Sequence, residues 1–229
     1  HTSGARAYGD GLAPASGAAP DGTGGTGPGD DPAPPSTPQG VVTVAAALAL
    51  TVQHTDVAVA VSGVSLTAQA VAFDALGNVA ATSTATGGPA SRGPPSGTTI
   101  AAAVAITIAD ASIRAEVGPS TVITAESLRL TAGTAPQNAS QAPDGTHRFS
   151  TTATGGAGSG GDLSVAGSVA VSVIVLRTVA SLASGASAVL SGAAPDLTIG
   201  ASSAAVTTTR ALLADEGVGT PTTGIGAAF

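Results

Sequence analysis

Three histidines, His1, His54 and His147, are the only imidazoles in the chain, and they bound the acid–base chemistry available near neutral pH. His54 and Asp56 stand two apart. On a strand that spacing puts both on one face, where a carboxylate can orient an imidazole as the base of a hydrolase. Such chemistry also needs a nucleophile in a recognisable setting, and no Gly-x-Ser-x-Gly occurs at a strand-to-helix elbow. The pair therefore reads as the polar end of a strand. His147 and Arg148, in a Gly/Pro/Thr stretch, read as a solvated loop tip.

Metal chemistry is no better served. GGAGSGGDL, Gly155 to Leu163, resembles a calcium-binding nonapeptide, but its carboxylate falls at Asp162 instead of at Gly160, the wrong position of the turn. Asp30 and Asp31, with Asp21, sit in a Pro/Gly-rich leader and read as solvating charge. Asn138-Ala139-Ser140 matches a glycosylation acceptor, a common motif. With no cysteine there is neither a disulfide nor a thiolate ligand. The expectation is a protein that is not an enzyme, with no catalytic, metal-binding or cofactor-binding residues and no cofactor.

Function must then lie in the elements. VAAALALTV, Val44 to Val52, returns as IAAAVAITI, Ile100 to Ile108, and as VAGSVAVSV, Val165 to Val173. Read with period two, each copy has a large aliphatic side (Val44, Leu48, Leu50; Ile100, Val104, Ile106; Val165, Val169, Val171) and a small side of Ala, Ser and Thr. Alanine is the best helix former, and Val44, Leu48 and Val52 are also spaced for a helix. Leu50, Ile106 and Val171 break that stripe, and β-branched residues in strict alternation favour strands. The expectation is three equivalent strands with Leu48, Leu50, Val104, Ile106, Val169 and Val171 buried.

Each copy is followed by a second block: an alternating run, a turn (Ser62-Gly63, Gly118-Pro119, Ser184-Gly185), then apolar residues led by Leu66, Ile123 or Leu190. From Leu66 to Val71 and from Ile123 to Leu128 the step is odd, so a straight strand would turn one of each pair outward. A bend or bulge is expected at Ala68 to Ala70 and at Ala125 to Ser127. A third block is Thr-rich: VAATSTATGG, HRFSTTATGG and SSAAVTTTRA read as solvent-facing strands or strand–loop transitions. The chain thus divides into a Gly/Pro-rich extended arm (1–40), repeat 1 (41–97), repeat 2 (98–162), and repeat 3 with a C-terminal tail (163–229). The fold class is all-β, a repeat-built β-solenoid or stacked-sheet rod.

Composition agrees with thin layers. Aromatics make up 2% of the chain, with no Met or Trp, so the core must close with Val, Ile, Leu and Ala. A formal charge of −7 argues against nucleic acid or an anionic membrane surface as partner. The longest apolar runs, such as Val41 to Val52, fall short of the about 20 residues that a spanning helix needs. The opening at His1, without a signal-peptide pattern, is that of a processed or truncated chain.

The stretch Gly161 to Thr209, GDLSVAGSVAVSVIVLRTVASLASGASAVLSGAAPDLTIGASSAAVTTT, resembles the repeat of very large bacterial surface proteins of the filamentous haemagglutinin and leukotoxin-adhesin type. Gln53-His54, Ala109-Asp110 and Ile174-Val175 stand where those repeats have an Asn-rich turn. The resemblance, taken over Val41 to Ala211, implies a stacked-strand rod at the cell surface or outside the cell, serving adhesion or structure. The expected role is that of a non-catalytic fibre or surface-filament subunit. Its partners are further copies of itself and a host or neighbouring cell surface, with part of His1 to Gly40 running along a neighbouring subunit or the end of its own sheet stack. The alternative is a ligand-binding module for carbohydrate or ice, suggested by Thr82 to Thr86 and Thr207 to Thr209.

Overall fold

The computed structural model describes residues 2–10, 42–88, 98–135, 145–156, 163–213 and 224–228. They are strands and turns, with no helix among the described residues. Three long strands, β2 (Val42–Val61), β6 (Thr98–Val117) and β10 (Leu163–Leu182), carry the repeated nine-residue stretches. They pair in parallel with Val44 opposite Ile100 and Ile100 opposite Val165, so the copies that align in sequence are neighbours in space. A short strand, β14 (Gly224–Ala228), lies beyond β10 on the same sheet.

Every long strand leads through the same succession. A turn precedes a short strand: β3 (Ser65–Thr67), β7 (Val122–Ala125) or β11 (Ser187–Leu190). Next come β4 (Ala70–Leu76), β8 (Ser127–Gly133) or β12 (Asp196–Ser202), and then β5 (Ala80–Gly88), β9 (His147–Gly155) or β13 (Ala205–Leu213). Strands of the same rank pair with one another, giving two small sheets of three strands and a Thr-rich sheet of β5, β9 and β13. β1 (Thr2–Asp10), inside the segment read as an arm, joins that Thr-rich sheet beside β5. All these pairings are parallel.

The expected bend is a corner between sheets. Glu126 separates β7 from β8, and on either side of it Ile123 and Leu128 are both buried, which a straight strand would forbid. The preceding turns repeat a left-handed residue at Gly63 (φ 67°), Ser120 (φ 59°) and Gly185 (φ 84°). The Gly63 N–H donates to Pro119 and the Ser120 N–H donates to Gly185, so one turn rests on the next.

The strand reading of the three copies is correct; the choice of inward side is not. Leu48 is 64% exposed, Leu50 51% and Val171 41%, and Val104, Ile106 and Val169 are half-buried on that same outer side. Buried instead are Ala45, Ala47 and Ala49 on β2, Ala101, Ala103 and Ala105 on β6, and Ser168 and Ala170 on β10. Separation between sheets is the cause. The Thr-rich sheet packs on the first half of the long strands, where Ala85 and Ala153 meet Ala47, Ala49, Ala103 and Ala105. At its far end a Cβ on Gly87 would collide with the backbone of Ala102, and one on Gly155 with the backbone of Gly167. Leucine does not fit in a layer this thin.

The space widens along the long strands. Phe149 and Val79 pack beside Ala109 and Ala111, and farther on Ile113, Val117, Ile123, Leu128 and Leu130 form a full aliphatic core beneath the small sheets. Inward side chains along β6 are thus Ala or Thr as far as Ala111, and Ile113 and Val117 are the first large ones.

Candidate functional site

His54 and Asp56 do share the outer face of β2, but each takes its partner from the neighbouring strand. The His54 imidazole lies 3.4 Å from the Asp110 carboxylate, its directly opposed residue in the register. Arg114 Nη2 donates to Asp56 at 2.9 Å, reaching two residues diagonally across the pairing. Arg129 and Asp74 pair across a diagonal of the opposite sense on the small sheet of β4, β8 and β12. His54 and Asp110 are well exposed, whereas Asp74 is 27% exposed, and Asp74 Oδ1 and Arg114 Nε are buried without a hydrogen-bond partner.

Around His54 lies an open depression of about 450 Å³ lined by Asp56, Asp110, Ser112, Val173, Val175 and Arg177 among others. Ser112 faces Asp56 in the register, and no hydrogen bond joins it to His54. His54 is 71% exposed and Asp110 52%, so water screens the interaction between them. The sequence alignment that pairs Val44 with Ile100 also pairs His54 with Asp110, a signal the two-apart reading overlooked. Among the described residues no group of three His, Asp or Glu is gathered for a metal ion. His1, Asp21, Asp30, Asp31, Asn138, Ser140 and Asp162 lie outside the described residues.

His147 is not a loop tip: it begins β9 with its side chain buried. The alternation of Phe149, Thr151 and Ala153, all buried, carries His147 inward with them. Its Nδ1 accepts the N–H of Val79 at 3.1 Å, which fixes the proton of the neutral ring on Nε2. Burial pushes the imidazole below its usual value of 6.5.

Inside the thin layer a chain of hydroxyls crosses the stack. Thr107 donates to Ser83 at 3.0 Å, Thr151 donates to Thr107 at 2.6 Å, and Ser83 is 2.8 Å from Thr51. Thr151 lies 2.7 Å from Ser172, which lies 2.8 Å from Thr209. A hydroxyl has one proton to give, so the remaining donors are fixed: Thr209 to Ser172, and Ser172 to Thr151. The chain thus zigzags between the long-strand and Thr-rich sheets in a single donor direction as far as Ser83, whose one proton has two acceptors, Thr51 at 2.8 Å and the Ile106 carbonyl at 2.7 Å, while Thr51 donates to the carbonyl of Thr82 at 2.9 Å.

On the opposite side of the Thr-rich sheet, Thr82, Thr84 and Thr86 alternate outward and stand beside Ser150, Thr152 and Thr154 of β9. Thr208 of β13 extends one row, and Arg210 and Leu212 replace threonine in the others. Thr207 and Thr209 face inward instead. Two surfaces of unlike character result: a hydroxyl face here, and an aliphatic face on β2, β6 and β10.

No protein-family model matches the chain, and neither a curated protein nor a solved structure matches it.

Proposed function

We propose that the chain is a non-catalytic structural or adhesive protein of the cell surface or extracellular space, a β-solenoid related to the filamentous-haemagglutinin type, which associates with copies of itself. One observation carries the reading: three successive four-strand segments put residues of the same rank into the same rows, always in parallel. That construction spends the sequence on a regular body with two flat faces. The exposed, screened state of His54 and Asp110 supports a role without catalysis. Negative-stain imaging of the purified chain tests this directly. Filaments or paired rods are expected. Isolated particles at every concentration would overturn it.

A second reading has its own support in the outward Thr82, Thr84, Thr86 and Ser150, Thr152, Thr154. Their hydroxyls recur every second residue along the strand, about 6.6 Å, and every strand across, about 4.8 Å, a spacing that suits a periodic ligand such as ice or a polysaccharide. Thermal hysteresis or retention on a polysaccharide column, abolished by combining Thr84→Lys and Thr152→Lys, is the expected result. Activity that survives the double substitution, or none in the unaltered chain, removes this reading.

A further inference from the structure

The sheet of β2, β6 and β10 turns its largest side chains away from the interior. Four rows, led by Val44, Leu48, Leu50 and Val52, hold an aliphatic residue on all three strands, and only the Ala46 row of small residues interrupts them. The block has a border: the next row contains His54 and Asp110, and charged side chains follow. Contiguous apolar patches on monomers rarely exceed about 300–600 Å², and a polar rim around a larger one marks a contact surface.

We propose that this face is the contact between two copies of the chain, packed sheet against sheet with their four aliphatic rows opposed. The proposal rests on the self-association named above and assigns it a surface. Area is the first argument. Nine residues of rise across three strands make a rectangle of about 27 by 14 Å before side-chain relief is counted. Two such faces make about 760 Å² of rectangle, and on the order of 1,000 Å² of accessible surface once side-chain relief is counted, which is the lower bound for a specific contact between proteins.

Charge is the second argument. The whole chain carries −7, yet no charged side chain stands in the four rows, so two like-charged copies meet there without opposing charges. A lipid surface fits less well: the rows contain no aromatic residue and no Lys or Arg to hold an anionic headgroup. Geometry is the third, because rows of equal spacing on both partners let the ridges of one settle between the ridges of the other.

Sedimentation velocity over a concentration series tests the assignment, using the full chain, the double variant Leu50→Lys with Ile106→Lys, and Thr84→Lys on the opposite face as control. All replaced side chains point outward, and circular dichroism checks that each variant keeps its strands. Expected are a concentration-dependent dimer that persists in high salt, at least tenfold weaker association in the double variant, and no change in the control. Self-association that the double variant retains overturns this face while leaving self-association standing. A wild-type chain that stays monomeric throughout overturns both. Capture of the wild type, and not of the double variant, by phosphatidylcholine vesicles without any dimer overturns the second copy in favour of a membrane.

Discussion

Single side chains decide whether the thin layer closes. Ser168 occupies the row of Ala47 and Ala103, and its buried hydroxyl has no hydrogen-bond partner. Ser168→Ala should stabilise the fold by about 1 kcal/mol, read as a higher urea midpoint at constant m-value. Thr107 is the opposite case, accepting from Thr151 and donating to Ser83 in the middle of the hydroxyl chain. Thr107→Val keeps the shape and removes two buried hydrogen bonds, while Ser83 retains the Ile106 carbonyl and Thr151 retains Ser172, so a loss of about 1 kcal/mol is expected in the same measurement. His147 adds a pH dependence. Its folded pKa lies below the usual value, so the unfolded chain binds the proton first as pH falls. The stability of the neutral ring is complete above about pH 6.5 and is lost below it, by at most ~1.4 kcal/mol per pH unit, until the folded group also protonates. Urea midpoints of the wild type should fall through that window more steeply than those of His147→Asn, which offers Val79 an acceptor but takes no proton.

Between elements, the distance from sheet to sheet sets which substitutions are tolerated. Ala105 is fully buried against a layer of methyl groups and backbone, so Ala105→Leu should cost about 3 kcal/mol or more, or prevent folding. Val179 lies on the outer side of β10, and Val179→Thr should change stability by no more than about 0.5 kcal/mol. Thermal melts of the two variants distinguish this layering from one with the aliphatic side inside. The strands and their register were legible because the nine-residue copies align at the rows where they pair. The inward side was not legible there, since period two separates two sides without saying which one is covered. A usable signal stood in the partner sheet: Ala81, Ser83, Ala85 and Gly87 are small at every inward position of β5, which lets a facing side that is also small come close enough to bring the two backbones together. His147 was misplaced for a related reason. The alternation through Phe149, Thr151 and Ala153 extends back to it, whereas its Gly-rich approach suggested a loop.

As a whole, the molecule reverses the usual placing of bulk, with alanine within and valine, leucine and isoleucine without along half of its longest sheet. Composition pointed to thin layers, and the chain is all-β with parallel sheets among the described residues. What no composition records is how far apart two sheets stand, a property of pairs of faces distant in sequence. That separation has a volumetric consequence. Hydrostatic pressure unfolds proteins chiefly by eliminating the empty space that imperfect packing traps inside them. A layer one methyl deep, with Gly87 and Gly155 set directly against the facing backbone, traps little. Unfolding should therefore shrink the system by less than it does for a protein of similar size that is aliphatic throughout, with the bulky half around Ile113, Leu128 and Leu130 supplying most of the change, and the chain should need a higher pressure to unfold than such a protein.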